Sequence, residues 1–430
     1  MHNRRYLFAF LLLALLIWTG IVYCQQKPAD SSDLALVGAK IYPSPMAAPI
    51  EDSVVLVHEG KIAAIGKRGQ VKLPKAVRTI DCKDKVITAG FWNSHVHFTE
   101  PVWSGAASAP ADKLEQHMQE MLTSWGFTTV FDIGSNPYDT LPLRKRVDSG
   151  EVPGPRIYTT AGNILPENGI PVYVPKELAG QLKQFEAATP ADAQRIAKQQ
   201  LAMGADGIKL FTGSIMGHGK ITLMPTEVAR AAVDVAHAAG KPVFAHPSNH
   251  VGTDNALAAG VDILAHTIPI ESGWTPEELA RMKSQHTRLI PTLTLWEVEL
   301  EKDHASLEDE QAFVQRGVNE LKTFFDQGGT VLFGTDIGYT QHYDTTEEYV
   351  LMARSGMSWR DILASLTTNP ATFFNHGRVG ELAVGDDADI VVLGADPASD
   401  VRNFANVDFT IRMGKVIYGA VSTQHSAFSH

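Results

Sequence analysis

Residues 91–98 read FWNSHVHF and directly follow the apolar run VITAG at residues 86–90. On a β-strand, residues i and i+2 point to the same face, so His95 and His97 are expected to project together. Near the C-terminal end of a barrel strand, two such imidazoles can bind one metal ion. Two polar residues at an ordinary strand end would explain the motif equally well, so the distinction depends on the residues at the ends of the other strands.

Short apolar segments alternate with helical patterns through the middle of the chain, which indicates repeated βα units and a parallel sheet. Helical patterns at residues 191–204 and 226–240 each end at a glycine, as helices often do. Eight candidate strands favour an α/β fold of the (β/α)₈ TIM-like barrel type. An open doubly wound sheet is the alternative, but it would typically have a Gly-rich nucleotide-binding turn after its first strand. The candidate strands are VITAGFWNSHVHF, TTVFDIGS, RIYTTAG, GIKLFTG, PVFAHPS, DILAHT, RLIPTLTL and TVLFGTD.

Two β-rich segments flank this predicted barrel. Residues 34–87 contain short strands separated by turns, and residues 376–422 contain a second set of the same character. We expect the two segments to pair into one small composite β-sandwich domain formed from both chain ends. The barrel would then occupy residues 88–375, with a short tail at 423–430.

The first 33 residues are predicted to be a signal peptide or membrane anchor followed by a linker. Arg4 and Arg5 precede an apolar run from Tyr6 to Tyr23, which places the bulk of the chain across the membrane. The expected location is periplasmic or extracellular, with this segment as the only membrane contact. Lipidation at Cys24 is disfavoured because Tyr23 stands where a small residue is expected.

Composition restricts the partners and the metal ligands. A formal charge of −11 argues against nucleic acid as a partner, because nucleic-acid binders usually carry a basic excess. Two cysteines provide neither a disulfide framework nor a thiolate metal cluster. Any metal must therefore be bound by nitrogen and oxygen, and the expected partner is a small-molecule substrate. Homo-oligomer formation stays open.

Chemically active residues stand at or near the ends of other candidate strands. Lys209 lies on strand four, His246 on strand five, His266 on strand six and Asp336 on strand eight. Barrels of this class gather their catalytic groups at the C-terminal ends of different strands. Together with the HVH motif, these residues give four imidazoles and a carboxylate, which suit zinc or a similar divalent ion.

Lys209 does not fit such a site as a cation. An ammonium about 4 Å from a dication would be repelled by about 8 kcal/mol at an effective dielectric near 20. Three alternatives follow: the side chain points away, it is neutral, or it has reacted with CO₂ to give a carbamate that bridges two metal ions. The bridged site has a plausible charge, because two divalent ions, the carbamate, Asp336 and one hydroxide sum to +1.

Taken together, these motifs resemble those of the metal-dependent amidohydrolase superfamily and are most similar to its imidazolonepropionase-like and prolidase-like branch. The resemblance extends from about residue 34 to residue 420. It implies a distorted barrel, a composite β-sandwich and a metal-activated hydroxide that attacks amides, lactams or related bonds. The motifs are VITAGFWNSHVHF, GFTTVFDIGS, GADGIKLFTGS, FAHPSN, LAHTIP, FGTDIG and LTTNPATFFNHGRVGELAVGDDADIVVL.

The resemblance also implies roles for the candidate ligands. In binuclear members, the two histidines of the HVH motif and Asp336 would bind the first ion. His246 and His266 would bind the second, with Lys209 as the carboxylated bridge (a carboxylysine). The expected cofactor is Zn²⁺, two ions per chain. In mononuclear relatives one ion is bound by the HVH histidines, His246 and Asp336, and His266 meets the substrate. Asp336 is the expected general base and then acid.

The predicted function is that of an exported, metal-dependent amidohydrolase. Its substrate would carry an amide- or peptide-type C–N bond, as in a dipeptide, an N-acyl amino acid or a cyclic amide. The alternatives are a mononuclear imidazolonepropionase-like lactam hydrolase and a non-catalytic scaffold, which six filled ligand positions argue against. The chain departs from the prolidase-like pattern after His246, where Pro247 and Ser248 replace a second histidine and a glycine. This departure affects the transfer of substrate specificity more than that of metal binding.

Residues in the loops after the strands are further candidates for substrate contact, with ordinary loop packing as the alternative for each. Tyr173 lies in a Pro- and Gly-rich segment that could form a lid, and His218 and His250 are predicted in the loops after strands four and five. The remaining candidates are Trp296 after strand seven, and Tyr339 and His342 after strand eight.

Overall fold

The computed structural model describes residues 33–420 except 76, 175–178, 181, 218 and 272. Within this part of the chain, no helix has the length and apolar character needed to cross a membrane. The predicted leader with Cys24 and the predicted tail at 423–430 lie outside the described residues, and export stays a prediction.

Strands dominate both ends of the described chain, and strands and helices alternate between them. The strands are β1 (Leu34–Val37), β2 (Lys40–Ile41), β3 (Ser53–His58), β4 (Lys61–Lys67), β5 (Arg78–Asp81), β6 (Val86–Ala89), β7 (Phe91–Val96), β8 (Phe127–Asp132), β9 (Arg156–Thr159), β10 (Leu165–Pro166), β11 (Glu186–Ala187), β12 (Ile208–Phe211), β13 (Gly213–Ile215), β14 (Ile221–Leu223), β15 (Val243–His246), β16 (Ile263–Ala265), β17 (Arg288–Ile290), β18 (Ile390–Leu393), β19 (Val407–Arg412) and β20 (Lys415–Gly419). The helices are α1 (Ala111–Met121), α2 (Pro137–Asp148), α3 (Pro190–Met203), α4 (Thr226–Ala238), α5 (His250–Ala259), α6 (Pro276–Gln285), α7 (Leu293–Lys302), α8 (Leu307–Asp326), α9 (Thr346–Arg354), α10 (Trp359–Leu366) and α11 (Thr368–Phe373).

The two helical patterns predicted from the sequence are confirmed by α3 and α4. Helix α3 begins with a capping box, in which Thr189 and Asp192 each bind the other's backbone N–H. It ends at Gly204, which has the left-handed φ of 101° that glycine adopts without strain. Local sequence therefore fixes both ends of this helix.

Both chain ends contribute to one five-stranded sheet with the strand order β2-β6-β18-β19-β20. Within it, β6 from the N-terminal segment pairs antiparallel with β18 from the C-terminal segment. A second sheet, β4-β3-β1-β5, comes from the N-terminal segment alone. Apolar side chains of both sheets, such as Leu36 and Ile390, share one buried cluster. The shared sheet agrees with the predicted use of both chain ends, while the sandwich arrangement and the domain boundaries stay predictions.

The central part is TIM-barrel-like, although the described residues do not form one closed eight-stranded sheet. Parallel strands form the sheets β7-β8-β9 and β12-β15-β16-β17. Isolated parallel bridges join Val96 to Ile337 and Leu289 to Val331, so residues 331–337 lie between the two sheets. This segment is the eighth candidate strand, and it makes bridges rather than a ladder. One reason is that Phe333 N–H donates outside the sheet, to the α10 carbonyl of Ser365 (3.0 Å).

Two other candidate strands have wrong boundaries. The first is split at Gly90 into β6, which belongs to the five-stranded sheet, and β7, which belongs to the barrel. A Cβ at Gly90 would lie 2.1 Å from Thr128 Oγ1, so only glycine fits where the chain passes from one sheet to the other. In the seventh, β17 ends at Ile290 and α7 begins at Leu293. Thr292 between them adopts a left-handed φ of 45°, which breaks the strand.

Candidate metal centre

Three predicted ligands meet where the first and eighth strand segments end. His95 lies in β7, His97 follows the end of β7, and Asp336 is the last residue but one of the bridging segment 331–337. His95 Nε2 lies 3.2 Å from His97 Nε2. Asp336 Oδ1 lies 3.1 Å from His95 Nε2 and 2.9 Å from His97 Nε2. The two histidines thus project together, as their i, i+2 spacing predicts.

This cluster has the properties of a metal site. Asp336 Oδ1 is buried and accepts no hydrogen bond from the described residues, although two imidazole nitrogens lie close to it. Burial lowers the pKa of His95 to about 3, so its imidazole is neutral. Burial raises the pKa of Asp336, but His95 and His97 more than offset this and hold it well below its usual range. The neutral imidazole of His95, the imidazole of His97 and an ionised carboxylate converge on one point, and these groups are suitable ligands for a divalent cation.

Two more histidines lie next to this cluster. His266 Nε2 is 4.0 Å from Asp336 Oδ2, and its ring centroid is 4.8 Å from that of His95. The ring centroid of His246 lies 4.7 Å from that of His266. Burial lowers the pKa of both imidazoles, that of His246 to about 3. The structure therefore brings four predicted histidines and Asp336 together at the C-terminal ends of the barrel strands.

Lys209 is buried in β12, in the same part of the barrel. In the parallel pairing of β12 with β15, buried Lys209 lies opposite Phe244. Phe244 precedes His246 by two residues and therefore points to the same face of β15. Burial lowers the pKa of Lys209 to about 7, although the charge of Asp336 acts in the opposite direction. This burial and this interaction argue against the alternative in which Lys209 points away from the site. A neutral amine and a carbamate both remain compatible with its surroundings.

His266 and Asp336 adopt unusual backbone conformations. Their φ angles are 80° and 60°, in the left-handed region that few residues other than glycine occupy. Each such residue costs about 1–3 kcal/mol and persists only where the surrounding structure enforces it. Strain of this kind concentrates at functional sites, which agrees with the placement of these two side chains.

The turn after Asp336 depends on Gly338. Its φ is 95°, and a Cβ there would lie 1.8 Å from the carbonyl oxygen of His97. We expect Gly338→Ala to lower the free energy of unfolding by more than about 3 kcal/mol. Gly385 has the same φ of 95° but no atom within 4 Å of such a Cβ, so Gly385→Ala should cost only about 1 kcal/mol. Urea unfolding measures both changes, and equal losses would show that the close approach to His97 has no energetic effect.

Hydrogen bonding fixes the tautomer of His266. Its Nδ1 lies 2.6 Å from Thr292 Oγ1, and the Thr292 hydroxyl donates its hydrogen to the carbonyl oxygen of Pro291 at 2.9 Å. The hydroxyl must therefore accept from His266 Nδ1–H. This leaves the lone pair on Nε2, the nitrogen that faces Asp336.

Asp132, like Thr292, is a residue near the site that was not predicted from the sequence. It is buried in β8, accepts hydrogen bonds from the hydroxyls of Ser135 and Thr159, and lies with Oδ1 4.0 Å from His97 Nδ1. A carboxylate behind a ligand histidine commonly orients the ring. Asp132 lies within the candidate strand TTVFDIGS and ends β8, and an acidic residue in this otherwise uncharged strand is the signal that could have identified it. Thr292 has no comparable local signal.

Two of the substrate-contact candidates, Tyr173 and Tyr339, lie next to each other, with ring centroids 5.0 Å apart. Tyr173 is 38% exposed, but desolvation at its hydroxyl raises its pKa, and the charges of Asp336 and Glu299 add to the effect. Tyr339 donates its hydroxyl hydrogen to Glu299 Oε1 at 3.0 Å. Trp296 is buried with its ring 6.2 Å from that of His266. All three stay candidates for substrate contact.

The three histidine candidates have different surroundings. His250 is the first residue of α5, directly after the N-cap Asn249, rather than part of a loop, and its backbone N–H donates to Glu271. Its imidazole lies 2.9 Å from Glu278 Oε1 and 3.3 Å from Glu271 Oε2, so both ring nitrogens face carboxylates. His342 is exposed, and His218 lies outside the described residues.

Comparison with known proteins agrees with this geometry. Residues 86–417 match the model of a family described as the amidohydrolase family. Ochratoxinase from Aspergillus niger is 22% identical over 400 residues, which cover 83% of this chain and 80% of the relative. A solved Xaa-Pro dipeptidase with bound methionine in the active site has a TM-score of 0.76 at 24% identity, covering 90% of this chain and 100% of that chain. Molinate hydrolase has a TM-score of 0.73 at 19% identity, covering 89% and 94%. The predicted TIM-barrel-like α/β class is confirmed.

Proposed function

Because this chain belongs to the amidohydrolase family and is a hydrolase of amide-type carbon–nitrogen bonds, we propose that it hydrolyses a dipeptide, an N-acyl amino acid or a cyclic amide at a metal centre. The observation that carries the proposal is the convergence of His95 Nε2, His97 Nε2 and Asp336 Oδ1 within 3.2 Å of one another. A scaffold without catalytic activity would have no need to keep these buried, strained groups together.

The site is proposed to be binuclear. The first ion would be bound by His95, His97 and Asp336, and the second by His246 and His266, with a carbamate on Lys209 between them. Zn²⁺ is the proposed metal, because imidazole and carboxylate are among its usual ligands. Burial of Lys209 and its electrostatic interaction with Asp336 support this arrangement. The mononuclear alternative uses one ion and leaves His266 to the substrate.

Asp336 is the proposed proton carrier. A divalent ion bound in this site acidifies a water molecule and polarises the carbonyl group under attack. Asp336 Oδ1 forms a near-equilateral triangle with the Nε2 atoms of His95 and His97, so Oδ2 is the oxygen we assign to accept the water proton and deliver it to the leaving nitrogen. The lowered pKa of Asp336 keeps the carboxylate ionised at neutral pH and able to accept that proton. The fixed strand end holds it in place for both transfers.

A substrate screen tests the proposal. Protein reconstituted with Zn²⁺ is incubated with N-acyl amino acids, cyclic amides and dipeptides. The relatives suggest adding Xaa-Pro dipeptides and ochratoxin. We expect release of a new amine from at least one class, with kcat/KM above about 10⁴ M⁻¹s⁻¹ for the preferred substrate. The His95→Ala/His97→Ala double variant, purified in the same way, identifies any contaminating hydrolase. Absence of hydrolysis in all classes by metal-loaded protein would favour the scaffold alternative.

A further inference from the structure

A buried carboxylate outside the metal centre, Glu348 of α9, caps the first turn of α7. Its Oε1 accepts from the backbone N–H of Leu293 at 3.0 Å. Its Oε2 accepts from the backbone N–H and the hydroxyl of Thr294, at 2.8 and 2.9 Å. The first N–H groups of a helix have no partner within the helix, and they favour a negative charge beside them. Glu348, which lies on another helix, thus accepts the hydrogen bonds from the first N–H groups of α7 that a neighbouring side chain in the sequence usually accepts.

Thr292 stands directly before the first residue of α7, but its side chain does not cap the helix. A threonine before the first helical residue normally accepts a hydrogen bond from a backbone N–H of the first turn. Thr292 makes no such bond, because its left-handed φ of 45° and ψ of 52° direct the residue away from the helix. Its hydroxyl instead accepts from His266 Nδ1–H and donates to the carbonyl oxygen of Pro291. The hydroxyl has a second lone pair, but in this left-handed conformation it makes no bond to the first turn of α7.

We infer that Glu348 is a positioning residue for the reaction, acting on His266 through Thr292. Because Glu348 caps α7, Thr292 can keep the left-handed conformation in which its hydroxyl holds the imidazole with Nδ1 protonated and Nε2 bare. Thr292 and Leu293 are neighbours in the chain, so the cap and the imidazole contact are mechanically linked. The inference rests on the proposed function in so far as His266 serves the reaction.

The Glu348→Gln variant tests this link. A glutamine amide offers one acceptor oxygen and one NH₂ group, and the NH₂ group cannot accept from a backbone N–H. One helix N–H then lacks a partner, and for its hydroxyl to replace that partner Thr292 would have to leave its left-handed conformation and its contact with His266. We expect kcat to fall about 10- to 100-fold, the usual effect of losing a group that orients a metal-site histidine, with KM within about threefold. The matched control is Asp361→Asn, which alters a carboxylate cap of α10 and should leave kcat within about twofold.

A double-variant cycle separates positioning from general destabilisation. Thr292→Val removes the hydroxyl, so adding Glu348→Gln to it should lower kcat no further than Thr292→Val alone. Thr292→Ser keeps the hydroxyl and should retain most of the activity. Losses that multiply in the double variant, or an unchanged kcat in Glu348→Gln, would overturn the inference.

A measurement without substrate keeps the inference distinct from the proposed function. In metal-free protein with ¹⁵N-labelled histidine, the Nδ1–H tautomer of His266 should dominate and should lose population in Glu348→Gln. Thr294→Ala removes one of the three hydrogen bonds to Glu348 and should shift the same signal in the same direction, which preserves the test if Glu348→Gln does not fold. An unchanged tautomer in both variants refutes the role of Glu348, whatever the substrate screen finds.

Discussion

Replacement of Asp336 by asparagine is expected to lower kcat/KM by about 10³-fold or more while the chain stays folded. The amide has nearly the shape of the carboxylate, but it carries no charge and cannot take up and release a proton. If its NH₂ group occupied the Oδ1 position, it would also place hydrogens between the two imidazole nitrogens that now lie 2.9 and 3.1 Å from that oxygen. The measurement is kcat/KM on the substrate identified by the screen, together with circular dichroism and metal content.

The HVH motif provides the companion variants. His95→Ala/His97→Ala removes two of the three converging atoms and should abolish turnover and reduce metal content. His237→Ala is the matched control, because this histidine lies on α4 and contacts Asp262 (2.9 Å) with 44% of its side chain exposed. Its activity should stay within about twofold of the wild type. Turnover retained in the double variant would contradict the proposed metal centre.

Side chains at strand ends could be predicted from the sequence because two simple rules apply there. Alternation along a strand brings His95 and His97 to one face. Parallel barrel strands also gather their C-terminal ends, which brings His246, His266 and Asp336 to the same site. Neither rule needs information about contacts that are distant in the chain. The six predicted ligand positions all lie in the described barrel.

Other features depend on backbone geometry or on distant contacts, which the sequence pattern does not express. The apolar run that contains Gly90 looks like one strand, yet a close approach to Thr128 divides it between two sheets. Thr292 looks like part of a strand in the sequence, but it has a left-handed φ and directly precedes helix α7. Glu348 is 55 residues from the backbone N–H of Leu293 that it caps. A single glutamate on a helical pattern has no local signal for such a role.

Removal of the Lys209 amine is expected to lower the metal content from two ions to one ion per chain and to lower kcat by about 100-fold or more. Lys209→Met keeps the length and volume of the buried side chain but cannot form a carbamate. In the proposed binuclear site, loss of the bridge would leave only the two neutral ligands His246 and His266 for the second ion. Metal analysis after reconstitution with Zn²⁺, with and without added bicarbonate, measures this effect. One ion in the wild type, no response to bicarbonate and unchanged metal content in Lys209→Met would favour the mononuclear alternative.

Lys209→Ala distinguishes a missing carbamate from a disturbed core. Truncation of this buried side chain leaves a cavity at the position where the carbamate is proposed, and a small carboxylate such as acetate or propionate has the charge and the two oxygens to replace it. We expect these anions to restore part of the second ion and part of kcat in Lys209→Ala. Lys209→Met should not respond, because its side chain fills the same volume. If the anions raise metal content and kcat equally in both variants, they act at another site. If they change neither variant while both bind one ion, Lys209 contributes packing rather than a bridging ligand.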